Sequence, residues 1–349
     1  MRMAGRYIIL LALGHGLNDG LAGYLLGTFA RSNAPVLQIA IGLLLYNVLA
    51  FGGQYPVALW LEKRRDHKSA LQIAYGMNVL AVLLSFIHYP LSILLAGIAS
   101  AIYHVAGGAI CAREGNAAPI GLFAAPGVAG LAAGGYFAWA GYDLQWMIAG
   151  ISLLFFASLF FIPREENAGM NSAAHAGTDK FHIDRHDIIM ILLLTVIAMR
   201  SLVWNIFQLI HENNYRWLIA IAVSAALGKV IGGWVADRIG WRLYIMLSLG
   251  AATPLISFFR NEILLFCIGV GLLQSGIPAS TALLVRSLRG QTEKGVALSF
   301  GTAIIAGALV FYTPARNLLT NNAMIWVMVL LMIGLMAWAR PQKVPEGSL

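Results

Sequence analysis

The sequence predicts an all-α membrane protein of twelve transmembrane helices in two pseudo-symmetric six-helix bundles, and three observations predict it. The chain of 349 residues is 59% hydrophobic and only 11% charged, against roughly 45–50% apolar residues in soluble domains. Its apolar residues fall in twelve runs broken by charge, proline or asparagine clusters, each near the ~20 residues that cross a bilayer. Its cations alternate between the interrupting loops. With both termini cytoplasmic, the loops on that side hold 17 Lys and Arg, while the outer loops hold four, Arg31, Arg216, Arg260 and Arg316. Retention of cations in short cytoplasmic loops produces that asymmetry. A soluble enzyme, a coiled coil, collagen and disorder are excluded. The net charge of +8 is spread over short loops, so it reads as topology and lipid contact rather than nucleic-acid binding. Cys111 and Cys267 lie inside separate apolar runs and predict no disulfide.

The first six spans are expected near 7–30, 35–61, 69–88, 91–112, 118–141 and 144–163. Arg2 and Arg6 ahead of the first run imitate a signal peptide, but no small-residue cleavage site follows. The run continues through His15 and Asp19, so it reads as a span. The second six are expected near 187–210, 216–236, 241–259, 262–285, 295–313 and 322–339. Residues 164–186 form the only long polar stretch, which divides the chain into a bundle at 1–163, a cytoplasmic linker at 164–186 and a bundle at 187–349. The linker holds His182, Asp184 and His186. Two histidines without further fixed ligands are a weak metal signal, and a solvated loop is the reading.

The halves carry an internal repeat. Gly228-Lys229, Gly233 and Asp237-Arg238 lead through the cytoplasmic exit of the eighth span to Arg242, and an offset of 175 places the first five on Gly53-Gln54, Ala58 and Glu62-Lys63 at the end of the second. A small residue lets two helices approach, and an acid at a helix end can pair with cations or a helix terminus of the neighbouring bundle. This pattern resembles the loop signature of the major facilitator superfamily, with Ala58 and Glu62 replacing the family's Gly and Asp in the first copy. The resemblance implies a gate built from Glu62, Lys63, Gly233, Asp237, Arg238 and Arg242. Three further stretches are similar to the fosmidomycin-resistance branch: His15-Gly-Leu-Asn18-Asp19-Gly, Tyr103-His104-Val-Ala-Gly107-Gly108, and Gly121 to Gly130 around Pro126-Gly127. Members of that branch are secondary exporters, commonly proton-driven.

Ionised groups inside a bilayer cost at least about 2.5–3.5 kcal/mol each on insertion scales, so they face water or one another. Asp19 is the acid placed deepest, about 18 Å into the first span, with His15 one turn before it on the same face. The pair is the expected proton-coupling site; the bland reading is that His15, Asn18 and Asp19 only fix helix packing. Arg200 and Lys229 also fall near mid-membrane. Two fixed cations against one deep acid favour an anionic substrate, although Arg200 could instead form a structural latch with Asp19. Asn18, Tyr46, His104, Trp204, Asn205 and Gln274 complete the expected substrate-binding set. His15, Asp19 and His104 could alternatively hold a metal ion. Gly127, Gly130, Gly134 and Gly135 loosely resemble an antiporter signature in reversed order, and a packing seam is the stronger reading.

Enzyme constellations are incomplete. His211-Glu212 lacks the second histidine of a zinc helix, and Gly271-Leu-Leu-Gln-Ser275-Gly has the wrong spacing for a hydrolase elbow. The expectation is therefore a monomeric inner-membrane transporter without cofactor, resident metal or nucleic acid among its partners. It exports a small organic anion against protons by alternating access. Uptake by symport or uniport, of an anionic metabolite or metal chelate, is the alternative; a receptor or membrane enzyme on the same fold is a remoter one.

Overall fold

A computed structural model of the chain describes residues 4–162, 185–210, 215–288, 290–302, 304–305 and 321–338. These residues form twelve helical rods, six on each side of the polar stretch. The first half contains α1 (Ala4–Ala30), α2 (Val36–Arg64), α3 (His67–Ser85), α4 (Tyr89–Ala112), α5 (Ala117–Trp139) and α6 (Gln145–Phe161). The second half contains α7 (Arg185–Ile210), α8 (Tyr215–Ile239), α9 (Trp241–Phe258), α10 (Ile263–Ser287), α11, which starts at Thr292–Ala297 and continues as a π-helical turn over Leu298–Thr302, and α12 (Asn322–Trp338). Seven of them, α1, α2, α4, α5, α7, α8 and α10, are long and apolar enough to cross a membrane. The other five fall short for visible reasons. α6 and α12 are short, α3 carries His67, Lys68, Gln72 and Asn78, α9 is only 18 residues long and carries Arg242 and Pro254, and α11 is described only in part.

Local signals set the helix ends. Asp66 caps α3 by accepting from the Ser69 N–H at 3.0 Å and its hydroxyl at 2.7 Å. His88 caps α4 by accepting from the Leu91 N–H at 3.2 Å, with Pro90 in the first turn. Gly240, at φ 95°, supplies the left-handed turn between α8 and α9. The outer surface is apolar: Val36, Ile87 and Phe161 are 83%, 84% and 85% exposed, which only a lipid surround makes favourable. The chain is a multi-pass membrane protein.

Within each half, small residues let helices meet backbone to backbone. A Cβ at Gly130 of α5 would stand 1.9 Å from Gly16 O of α1, and one at Gly134 would stand 1.9 Å from Gly20 O. The fifth-span glycines at 130 and 134 are thus a packing seam, while a Cβ at Gly135 would meet nothing. The halves meet along α5 on α8 and along α2 and α4 on α11. His182, Asp184, His211, Glu212 and the side chains of His186 and Asn205 lie outside the described residues.

Candidate functional site

The α1–α5 seam turns one face of α1 toward α4 and α5, and that face carries the polar core. His15 Nδ1 lies 2.7 Å from Phe123 O of α5, and His104 Nδ1 of α4 lies 2.7 Å from Ser100 O. Carbonyl oxygens only accept, so each Nδ1 carries the hydrogen and each Nε2 is left with a lone pair. Those two Nε2 atoms face each other at 2.9 Å. Asp19 Oδ2 lies 3.2 Å from His15 Nε2 and 3.8 Å from His104 Nε2. Three electron pairs converging in a buried space repel unless something positive lies between them, so the cluster is built to hold a further proton or a cation.

Neighbours fix each member. The other carboxylate oxygen, Oδ1, accepts from Asn18 Nδ2 at 2.9 Å, and Asn78 Nδ2 of α3 donates to Asn18 Oδ1 at 2.8 Å. The Phe123 ring stacks on His15 at 4.4 Å between centroids. The Tyr103 hydroxyl donates to Leu11 O at 2.8 Å, and the Tyr75 hydroxyl donates to Gly14 O. Gly127 of α5 covers the cluster, and a Cβ there would stand 2.6 Å from both Asp19 Oδ2 and His15 Nε2.

The deep cations come from the second half. Arg200 of α7 is buried, donates from Nη1 to Ser280 Oγ at 2.9 Å, and has a buried Nε with no partner among the described residues. Lys229 of α8 is buried and points its ammonium across the junction between the halves, 3.5 Å from Ala124 O of α5. No ion pair joins Asp19 to Arg200 or Lys229 among the described residues, so the alternative latch is not formed in this structure: Asp19 is occupied by Asn18 and the histidines. Tyr46 is buried where α2 crosses α4, Gln274 is buried in α10, and Trp204 is half-buried against the core. None of the three touches the Asp19 cluster through a described hydrogen bond.

At the end of the molecule with the basic loops, three acidic side chains join the halves among the described residues, making three sets of polar contacts. Asp237, at the C-terminal end of α8, accepts from the Ala117 and Ala118 N–H groups at 2.8 and 2.9 Å, capping α5, whose own cap residue Asn116 makes no side-chain cap bond. Gly233 permits the approach, since a Cβ there would stand 2.8 Å from Ala117 O. Glu62 of α2 pairs with Lys294 of α11 at 3.0 Å. Glu293 of α11 is buried and accepts from His67 Nε2 at 2.9 Å and from Arg113 Nη2. The other cations of the expected gate, Lys63, Arg238 and Arg242, take no part in these three sets of contacts. Lys63 is exposed in the last turn of α2, Arg238 lies 3.3 Å over the Trp234 ring of its own helix, and Arg242 donates to the Met336 and Ala337 carbonyls ending α12. Long cations at helix ends find nearer partners in rings and terminal carbonyls. At the opposite end the described hydrogen bonds stay within a half: Tyr24 to Tyr142 O at 3.0 Å, and Gln145 to Tyr89 at 2.9 Å.

Sequence reasoning missed Asn78, Ser100, His67, Arg113 and Glu293. Asn78 and Ser100 are single polar residues in apolar runs, and their spacing carries no signal. Glu293 lies 180 or more residues from His67 and Arg113, all in loop-like stretches, and only the fold unites them.

No family model and no curated protein matches the chain. Solved structures do. A variant of the E. coli fucose:proton symporter FucP superposes with a TM-score of 0.73 at 12% identity, covering 98% of this chain and 100% of that one. A major facilitator superfamily transporter, FucP in the outward conformation, gives 0.72 at 13% identity, covering 97% and 98%. At such identities the likeness carries no information on the fosmidomycin-resistance branch. What it shows, across the whole chain, is that this protein has the major facilitator fold.

Proposed function

We propose that the chain is a proton-coupled secondary transporter of a small organic anion. It works as a monomer in the inner membrane with both termini cytoplasmic, by rocking of 1–163 against 187–349. One observation carries the reading: a buried Asp19–His15–His104 cluster with room for a positive charge shares the interior with Arg200 and Lys229, neither held by an acid among the described residues. Asp19 and His15 load the proton. Arg200 offers a planar fork and Lys229 a point charge to a carboxylate or phosphate. Tyr46, Asn18, His104, Trp204 and Gln274 contribute to substrate binding, as does Asn205 by its place one residue after Trp204 in the sequence. Glu62, Gly233 and Asp237 hold the cytoplasmic face shut in an outward-facing state, and they part when the halves rock.

Coupling follows from where Asp19 is held. Exchange, the exporter's cycle, needs proton and anion to compete for a cation paired with Asp19. Here the carboxylate is held by Asn18 and His15, so a proton added to the cluster raises the positive potential at Lys229 and tightens anion binding. Linkage makes that coupling reciprocal, which is the requirement of symport. We therefore place uptake by proton symport ahead of export. The fold neighbour FucP, a fucose:proton symporter, favours the same cycle. Export remains the second reading, and it requires an opposite-facing state in which Asp19 and Lys229 pair directly.

Purified protein screened against organic acids, sugar phosphates and phosphonates at about pH 6 and pH 8 is expected to melt at higher temperature with its substrate. In proteoliposomes, an outside-acid gradient then drives that anion inward for symport and outward for exchange. Asp19→Asn is expected to bind the anion and lose gradient-driven accumulation. Undiminished coupling in this variant sinks the assignment.

A further inference from the structure

The space between the two Nε2 atoms and Asp19 Oδ2 has the dimensions of a coordination site. The three separations are 2.9, 3.2 and 3.8 Å. The point equidistant from those atoms lies about 2 Å from each, the bond length of a first-row transition metal to imidazole nitrogen or carboxylate oxygen. The surrounding groups are those that orient metal ligands. Each histidine spends Nδ1–H on a backbone carbonyl, Phe123 O or Ser100 O, which fixes the tautomer with Nε2 free. The carboxylate spends Oδ1 on Asn18, itself held by Asn78, which leaves Oδ2 free. His15 and His104 are buried while the Asp19 side chain keeps 14% exposure, so the carboxylate is the side from which an ion enters. Gly127 supplies the clearance, because its missing Cβ would stand 2.6 Å from two of the three ligand atoms.

We propose that His15, Asp19 and His104 bind a divalent first-row transition-metal ion, the class that two imidazoles and one carboxylate suit. The remaining coordination positions are open to water or to an oxygen of the transported anion. The ion and the coupling proton take the same electron pairs, so the inference deepens the reading of this pocket as a coupling site and rests on it for the ion's route through the membrane. Equilibrium binding is measurable without that route.

The test uses the full chain, stripped with EDTA in detergent and titrated with Co2+ near pH 7.5, followed by visible absorption, then with Zn2+ by calorimetry. One ion per chain is expected. Asp19→Asn and the volume-conserving His104→Gln lose the site, Asn18→Ala weakens it roughly tenfold to a hundredfold, and Gly127→Ala excludes the ion. A double His182→Ala, His186→Ala variant is expected to bind as the native chain does. Circular-dichroism melting of each variant separates loss of the site from loss of the fold, and should Asp19→Asn fail to fold, His104→Gln and Asn18→Ala carry the test. No Co2+ binding, or binding abolished only by the linker variant, overturns the metal site. Gradient-driven anion transport that persists in EDTA while Co2+ fails to bind leaves the proton reading standing without the metal. A bound ion in a chain that moves no solute does the reverse.

Discussion

The two seams that close the basic-loop end are copies in sequence and differ in chemistry. The offset of 175 that maps Ala58 and Glu62 onto Gly233 and Asp237 also maps Ala117, the first residue of α5, onto Thr292, the first residue of α11. In the α5–α8 seam, Gly233 lets backbone meet backbone and Asp237 accepts directly from two N–H groups of the opposing helix. In the α2–α11 seam, Ala58 keeps its methyl, and the longer Glu62 pairs with the Lys294 side chain. Deeper in, Lys229 occupies one copy and Gln54 the other, where Gln54 turns back to Ala50 O of its own helix at 2.9 Å. One seam is steric and short-ranged. The other is ionic, made by flexible side chains and open to screening and titration. Duplication thus leaves two hinges with one geometry and different sensitivities.

The largest expected effect breaks the steric seam. Gly233→Val places a branched side chain where even a Cβ would stand 2.8 Å from Ala117 O, so α5 and α8 must part and Asp237 must release the α5 terminus. Overpacking of this kind costs about 1–3 kcal/mol. The expectation is a lowered melting temperature and transport reduced to background in proteoliposomes. Ala58→Gly, the converse change in the other copy, removes only a methyl and about 1 kcal/mol of helix propensity, and transport survives. Equal damage from both would show that the seams are not different in kind.

Lys229→Gln makes the two copies alike at depth. If Lys229 draws in the anion, this variant loses anion-induced thermal stabilisation by at least tenfold in apparent affinity while its own fold holds, because Gln54 shows that a glutamine is accommodated at the equivalent place. Native affinity would move the substrate site away from the junction of the halves.

The legible part of this molecule was its periodicity. Apolar runs, cation alternation and the 175-residue repeat lead to twelve helices in two halves, because burial in lipid and retention of cations act on composition and need no partner. Asp19, Arg200 and Lys229 were visible for a related reason: a lone charge in an apolar run is rare enough to stand out. Partner choice was not legible. Asp19 chose histidines on its own half over Arg200 because glycines at 16, 20, 130 and 134 fix which face of α1 meets α5. Arg238 and Arg242 look like gate cations by position, yet a ring four residues away and a pair of terminal carbonyls claim them.

The ionic seam has a titration of its own. Burial raises the Glu293 carboxyl, but donation from His67 and the Arg113 guanidinium outweigh it, so the group is held below its ordinary value. A carboxyl depressed on folding contributes stability that is complete above its unfolded pKa, about 4.3, and is lost as pH falls through the lower folded value. Glu293→Gln is therefore expected to lower the melting temperature, by an amount equivalent to about 1–3 kcal/mol, equally at pH 6 and pH 8. The gap between the two proteins closes as the pH falls below about 4. A gap that widens instead would put the titration in a group other than Glu293.

The smallest expected effect is the Glu62–Lys294 pair, and it decides how much the ionic seam owes to its most visible contact. Both side chains are about one-fifth exposed, so water and salt screen the attraction while the long stems lose rotamer freedom. Pairs of this kind couple by about 0.2–1 kcal/mol. A double-mutant cycle of Glu62→Ala and Lys294→Ala, read by thermal melting at low and high salt, is expected to return a coupling in that range that shrinks with salt. Asp237→Ala, which leaves two N–H groups at the α5 terminus without their acceptor, is expected to cost more, about 1 kcal/mol or above, with little salt dependence. A Glu62–Lys294 coupling larger than the Asp237 loss would mean that the first copy, despite its departures from Gly and Asp, is the stronger lock. The glycine contact would then serve approach rather than closure.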